Sequence, residues 1–147
     1  MGRTKNLKKE LKTIFENAIE IDNSIIITTS LYPENDAQKD DMLRNAKNTK
    51  TSIVITYAGR KYENRTTGLY STFNALSIFL FSKILGDDNS NVFDIENLLD
   101  TVTDILHQKQ FVLFEDAPRI AKDEKTGLFE AVIIAGKSGV YPENIGG

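Results

Sequence analysis

The sequence predicts an α+β domain: a mostly antiparallel sheet packed against two helices, in the order α-β-β-β-α-β-β. Three observations carry this. Segments 4–20 and 92–107 repeat their apolar residues at steps of three and four. Segments 51–58 and 69–85 are dense in β-branched and aromatic residues with a period of two. Two further apolar runs, 111–121 and 128–135, flank a polar turn that closes on Gly127.

In the first helix, Leu7, Leu11, Ile14, Phe15, Ala18 and Ile19 form one stripe, and Lys5, Lys8, Lys9 and Lys12 take much of the remaining surface. Residues 24–30 follow as a strand of β-branched side chains. A polar connector then spans 31–50, with a short helical turn expected over 40–46. Connectors that long in a compact domain are usually functional or mobile. In 51–58, Ile53, Ile55 and Tyr57 share one face, and Ser52, Val54 and Thr56 the other. The stretch 59–68 reads as a polar, basic loop.

Segment 69–85 fits two periods, because Phe73, Leu76, Leu80 and Ile84 also stand at helical spacing. Its β-branched and aromatic content favours strand. That choice puts Leu76, Ile78, Leu80 and Ile84 on one face and Phe73, Phe79 and Phe81 on the other. In the second helix the stripe is Phe93, Ile95, Leu98, Leu99, Val102, Ile105 and Leu106, with Ser90 or Asn91 as N-cap. Beyond Gly136 the chain reads as a loose tail, flexible over 138–147. Residues 1–147 make one domain.

The composition excludes much chemistry. The 147 residues carry 18 Lys+Arg and 21 Asp+Glu, for a net charge of −3, and 40% are hydrophobic. A chain of this size can bury about 70% of its unfolded surface. Without cysteine there is no disulfide framework, thiolate nucleophile or Cys-type zinc site. The single His107 argues against a His-based metal cluster and against a Ser-His triad. The basic N-terminal segment lacks an apolar signal-peptide core, and 69–85 is too short and polar to span a membrane. The expectation is assembly or residence in a cytosol.

Charge is unevenly divided. Residues 1–67 hold 12 basic against 9 acidic residues, net +3; residues 68–147 hold 6 against 12, net −6. Asp87, Asp88, Asp94, Glu96, Asp100 and Asp104 run without an intervening base. Asp100 and Asp104 stand four apart in the later turns of a helix, where like charges repel and the dipole opposes them. One reading is a solvated face. The other is a face that meets a basic surface on another subunit, with Arg44, Lys47, Lys50, Arg60, Lys61 and Arg65 as that surface. A head-to-tail contact of unlike patches builds a ring when its rotation closes.

Other motifs are weaker. Gly136-Lys137-Ser138 has the ending of a phosphate-binding loop, but Ala131 stands where that loop needs glycine and no helix follows. This reads as a strand end turning on glycine. Glu115 and Asp116, with Glu130 opposite, could hold a divalent cation in a small α+β enzyme; exposed strand-end acids are the competing explanation. The basic loop, with Arg60, Lys61, Tyr62 and Arg65, could line a pore through which DNA passes without sequence recognition, although the acidic balance argues against a salt-sensitive DNA binder.

The order of features resembles the tail-terminator family of tailed phages, particularly its Mu-like branch in contractile tails and phage-tail-like particles. The resemblance rests on the N-terminal amphipathic helix, the strand ending Tyr57-Ala58-Gly59, the long strand 69–85, the helix with Ile95, Leu98, Leu99, Val102, Ile105 and Leu106, and the closing hairpin. It covers roughly residues 4 to 137. It implies a virion protein without enzyme activity or cofactor: a homohexameric ring that caps the tail tube, ends tube and sheath polymerisation and meets the head connector. DNA would pass through the lumen, lined by the basic loop. Asp94, Asp100, Asp104, Arg44, Lys47 and Lys50, with Phe73, Phe79 and Phe81, are then candidate subunit-interface residues; a second layer inside the monomer is the competing use of the phenylalanines. A head–tail joining or head-completion neck protein is the neighbouring alternative.

Overall fold

The computed structural model describes residues 3–66, 69–85, 91–114 and 118–142. Its elements are α1 (Arg3–Asn17), β1 (Ile26–Thr29), α2 (Asp36–Lys47), β2 (Thr51–Thr66), β3 (Leu69–Lys83), α3 (Val92–Gln108), β4 (Val112–Leu113), β5 (Ile120–Asp123) and β6 (Leu128–Pro142). The six strands form one sheet in the order β1-β2-β3-β6-β4, with β5 also paired to β6. All pairs are antiparallel except β1 with β2. The α+β class and the mostly antiparallel sheet are as the sequence predicts.

The connector 31–50 departs from expectation, because it holds a full helix of 12 residues. Asn35 caps α2, its Oδ1 accepting from the Gln38 N–H at 2.9 Å, while Gln38 Oε1 accepts from the Glu34 N–H at 2.7 Å. Asp36 in the first turn and Arg44 and Lys47 in the last match the helix dipole. The helix also explains the parallel pair, since parallel neighbours need a crossover between them.

Two apolar layers result. On one face of the sheet, α1 and α3 cover Ile53, Ile55, Leu76, Ile78, Leu80 and Ile133 with Leu11, Phe15, Ile95, Val102 and Leu106. On the other, α2 lays Met42, Leu43 and Ala46 over Val54, Phe79, Phe81 and Leu128. Strand β3 therefore has apolar side chains on both faces, as a strand covered on two sides must.

Two segments read as irregular are strand. β2 continues through the basic stretch to Thr66, past a bulge between Tyr57 and Gly59. Gly59 has φ +147°, a conformation that favours glycine. β6 likewise continues past Gly136 to Pro142, paired with β3 as far as Leu69. Past the row of Gly59, Ala75 and Gly136, where β4 still pairs with β6 through Val112, β2, β3 and β6 run on together as a three-stranded arm. The six residues 69–74 give it a length of about 20 Å.

Helix α3 ends in a Schellman turn. Phe111 N–H donates to Leu106 O at 2.9 Å and Gln110 N–H to His107 O at 3.1 Å, with Gln110 at φ +67°. At its start Asn91 takes the N-cap position, but its side chain makes no capping hydrogen bond.

Candidate functional site

Helix α3 buries Ile95, Leu98, Val102, Ile105 and Leu106 against the sheet, so its period turns Asp94, Glu96, Asp100 and Asp104 outward. All four are exposed, and none forms an ion pair among the described residues. Asp94 lies in the first turn, where an acid favours the helix. Asp100 and Asp104 receive no such support.

Helix α2 buries Met42, Leu43 and Ala46 and exposes Arg44 and Lys47, with Lys50 exposed just beyond its end. Arg44 reaches Asp41 one turn back at 3.0 Å, but both side chains are about 70% exposed, so the pair contributes little. Lys47 and Lys50 form no ion pair among the described residues. Because α2 and α3 cover opposite faces of the sheet, the acidic and basic candidates are turned away from each other.

The phenylalanine candidates divide. Phe79 and Phe81 are 3% and 0% exposed within the single chain, so they are not free for a neighbour. Their rings stack at 6.1 Å under α2, and Tyr32 leans on Phe79 at 6.1 Å. This is the second layer inside the monomer, and it exists because the connector is a helix. The side chains of Phe73, Arg60, Lys61, Tyr62 and Arg65 lie outside the described part. Their backbone belongs to the arm, where Arg60, Asn74 and Lys137 share one row of the register and Lys61, Phe73 and Ser138 the next.

Of the proposed cation ligands, Glu115 and Asp116 lie outside the described residues. Glu130 is engaged by Lys39, whose Nζ stands 2.5 Å from Glu130 Oε1 and 4.7 Å from the centre of the Phe79 ring. Among the described residues no group of three or more His, Cys, Asp or Glu side chains could hold a metal ion. Gly136-Lys137-Ser138 lies inside β6 rather than at a turn. Lys137 approaches Glu10 of α1 at 3.6 Å and stands over the Phe111 ring at 5.3 Å. His107 is exposed in the last turn of α3.

No described helix is long and apolar enough to cross a membrane. Comparison with protein-family models and with curated proteins finds no match for the chain.

Proposed function

We propose that this chain is a structural virion subunit that assembles into a homohexameric ring on the end of a tail tube. The ring would stop tube and sheath polymerisation and offer the joint to the head connector. The reading begins from the resemblance in element order. The observation that carries it is the placement of exposed acid on α3 and exposed base at the end of α2, on opposite faces of one sheet. Within a chain these patches cannot meet. Between copies they can, acidic face to basic face, and such a contact repeats with one polarity until the rotation closes. The arm, with Arg60, Lys61, Tyr62 and Arg65 in its sequence, then supplies a basic element to the lumen or the tube.

Asp100 and Asp104 fit this reading better than a purely structural one, because they repel each other in the isolated subunit and have no ion-pair partner among the described residues. The engagement of Glu130 by Lys39 speaks against the alternative of a divalent-metal enzyme. Light scattering on a sizing column over a range of concentrations tests the proposal. A six-subunit species that a charge reversal on α3 takes apart is the expected result. A monomer at every concentration, indistinguishable from the reversal variant, overturns it.

A further inference from the structure

The outer side of β1 has the features of a strand acceptor. In a parallel pair a residue's N–H and C=O point to the same side, alternating along the strand. Ser30 N–H donates to Ile55 O at 2.9 Å, so the even-numbered residues of β1 face β2. The backbone groups of Ile27 and Thr29 therefore face outward, and they have no partner among the described residues.

The two faces beside that edge are hollow in different ways. On the α2 side lies a groove of about 520 Å³, formed by Ile26, Leu31, Met42, Ala46, Val54 and Ser52 among others. Ser52 is 5% exposed and its Oγ has no hydrogen-bond partner, so the floor holds one unused polar atom, while Thr28, Gln38, Asp41 and Asn45 line the groove beside the apolar side chains. Ile26 is 46% exposed and Leu31 82%. On the α1 side a hollow of about 240 Å³ is lined by Phe15, Ile21 and Ile27 together with Glu16 and Asp22. Neither carboxylate forms an ion pair among the described residues. Asp22 is held below its ordinary value by the Ser24 backbone N–H and hydroxyl, with a smaller pull from Lys50. Lys8 is engaged at the far end of the strand, donating to Ser30 O at 3.3 Å.

A strand added to this edge places successive side chains alternately over the two hollows. We propose that the free edge of β1 docks an extended segment of a partner protein whose side chains alternate between apolar and basic. The apolar ones would enter the groove under α2, and the basic ones would face Glu16 and Asp22. Main-chain hydrogen bonds to Ile27 and Thr29 would supply the pairing. This inference goes beyond the ring and does not depend on it.

The probe is a fluorescein-labelled peptide of alternating lysine and valine, seven residues long, followed by anisotropy. Three comparisons accompany it: glutamate for lysine, serine for valine, and N-methylation of every second residue in each of the two phases. Saturable binding is expected, at least tenfold weaker for the glutamate and serine versions. One N-methylated phase should lose at least tenfold, while the other keeps most of its affinity. The variant Glu16→Gln/Asp22→Asn should shrink the lysine-over-glutamate preference below threefold, with Asp22→Asn keeping the turn's acceptor oxygen. Equal binding of lysine and glutamate peptides, equal binding of both N-methylated phases, or no saturable binding overturns the proposal. So does a peptide affinity that falls as protein concentration rises, because a second copy of the chain then occupies the edge.

Discussion

Asn91 ties the start of α3 to the end of β3 through Lys83. Its Nδ2 donates to Lys83 O at 2.6 Å, and its Oδ1 accepts from Leu85 N–H at 2.9 Å. The residue is 8% exposed and stands where a helix cap is expected, yet its side chain is spent on the strand. The amide supplies donor and acceptor from two separate atoms, which a hydroxyl cannot.

Asn91→Ala is therefore expected to cost about 1–3 kcal/mol, because it removes both hydrogen bonds of a largely buried tie. Asn91→Ser, a good cap in most helices, is expected to recover little of this. Urea unfolding of the two variants measures both. Full rescue by serine would mean that the cap, not the strand tie, is what matters.

Gln110 is expected to gain from replacement by glycine. It occupies the left-handed position of the Schellman turn at φ +67°, where a side chain carries a steric penalty. Gln110 is exposed, so little contact is lost with its side chain. Gln110→Gly should raise stability by about 0.5–1 kcal/mol, read from the urea midpoint at unchanged m-value.

Strand β3 is legible in the sequence because both of its faces are apolar at a period of two, and a polar run follows it in the sequence. Helix α2 escapes the period argument because it buries only Met42, Leu43 and Ala46, and the surrounding polar residues hide that short stripe. The signal it does carry is Asn35 followed by Gln38, the spacing of a capping box. The outer halves of β2 and β6 look like loops because glycine, proline and charge are common in them. Pairing with β3 across 69–75 overrides that local preference. The charged faces were readable as surfaces from the helical period, but their placement on opposite sides was not, since it depends on α2.

The Lys39–Glu130 pair is expected to behave as a coupled, partly shielded contact. The side chains are 31% and 20% exposed, and Lys39 also covers the Phe79 ring. Glu130→Gln should cost about 1 kcal/mol, and a double-mutant cycle with Lys39→Met should give a coupling of similar size. Millimolar Mg²⁺ or Mn²⁺ should leave the melting temperature unchanged, since a cation at Glu130 would have to displace Lys39. A metal-dependent rise would revive the cation site.

Acid should weaken the fold through Asp22 and Asp123. Asp22 is lowered from 3.8 chiefly by the Ser24 backbone N–H. At Asp123 burial pushes the carboxyl up, but hydrogen bonds from Thr126 and the Lys125 N–H outweigh it and leave it lowered from 3.8. A lowered carboxyl binds its proton less readily folded than unfolded. Its contribution is thus present above the unfolded value and lost as pH falls through the folded one. The urea midpoint should decline most below about pH 4, and Asp123→Asn should flatten that decline.

Reversal of Asp100 and Asp104 to lysine separates stability from assembly. Both positions are exposed and one turn apart in α3, Asp100 at its middle and Asp104 just before its last turn, so the pair repels itself. Lysine at Asp104 turns that repulsion into an attraction to Asp100, whereas lysine at both restores it. Asp104→Lys alone should therefore stabilise the subunit by about 0.5–1 kcal/mol. The double reversal should keep the fold while removing the acidic face that the proposed ring contact uses. A more stable single variant and a double variant that stays monomeric would together show that these carboxylates are kept for assembly. A double variant with unchanged native mass would place the contact between copies elsewhere on the molecule.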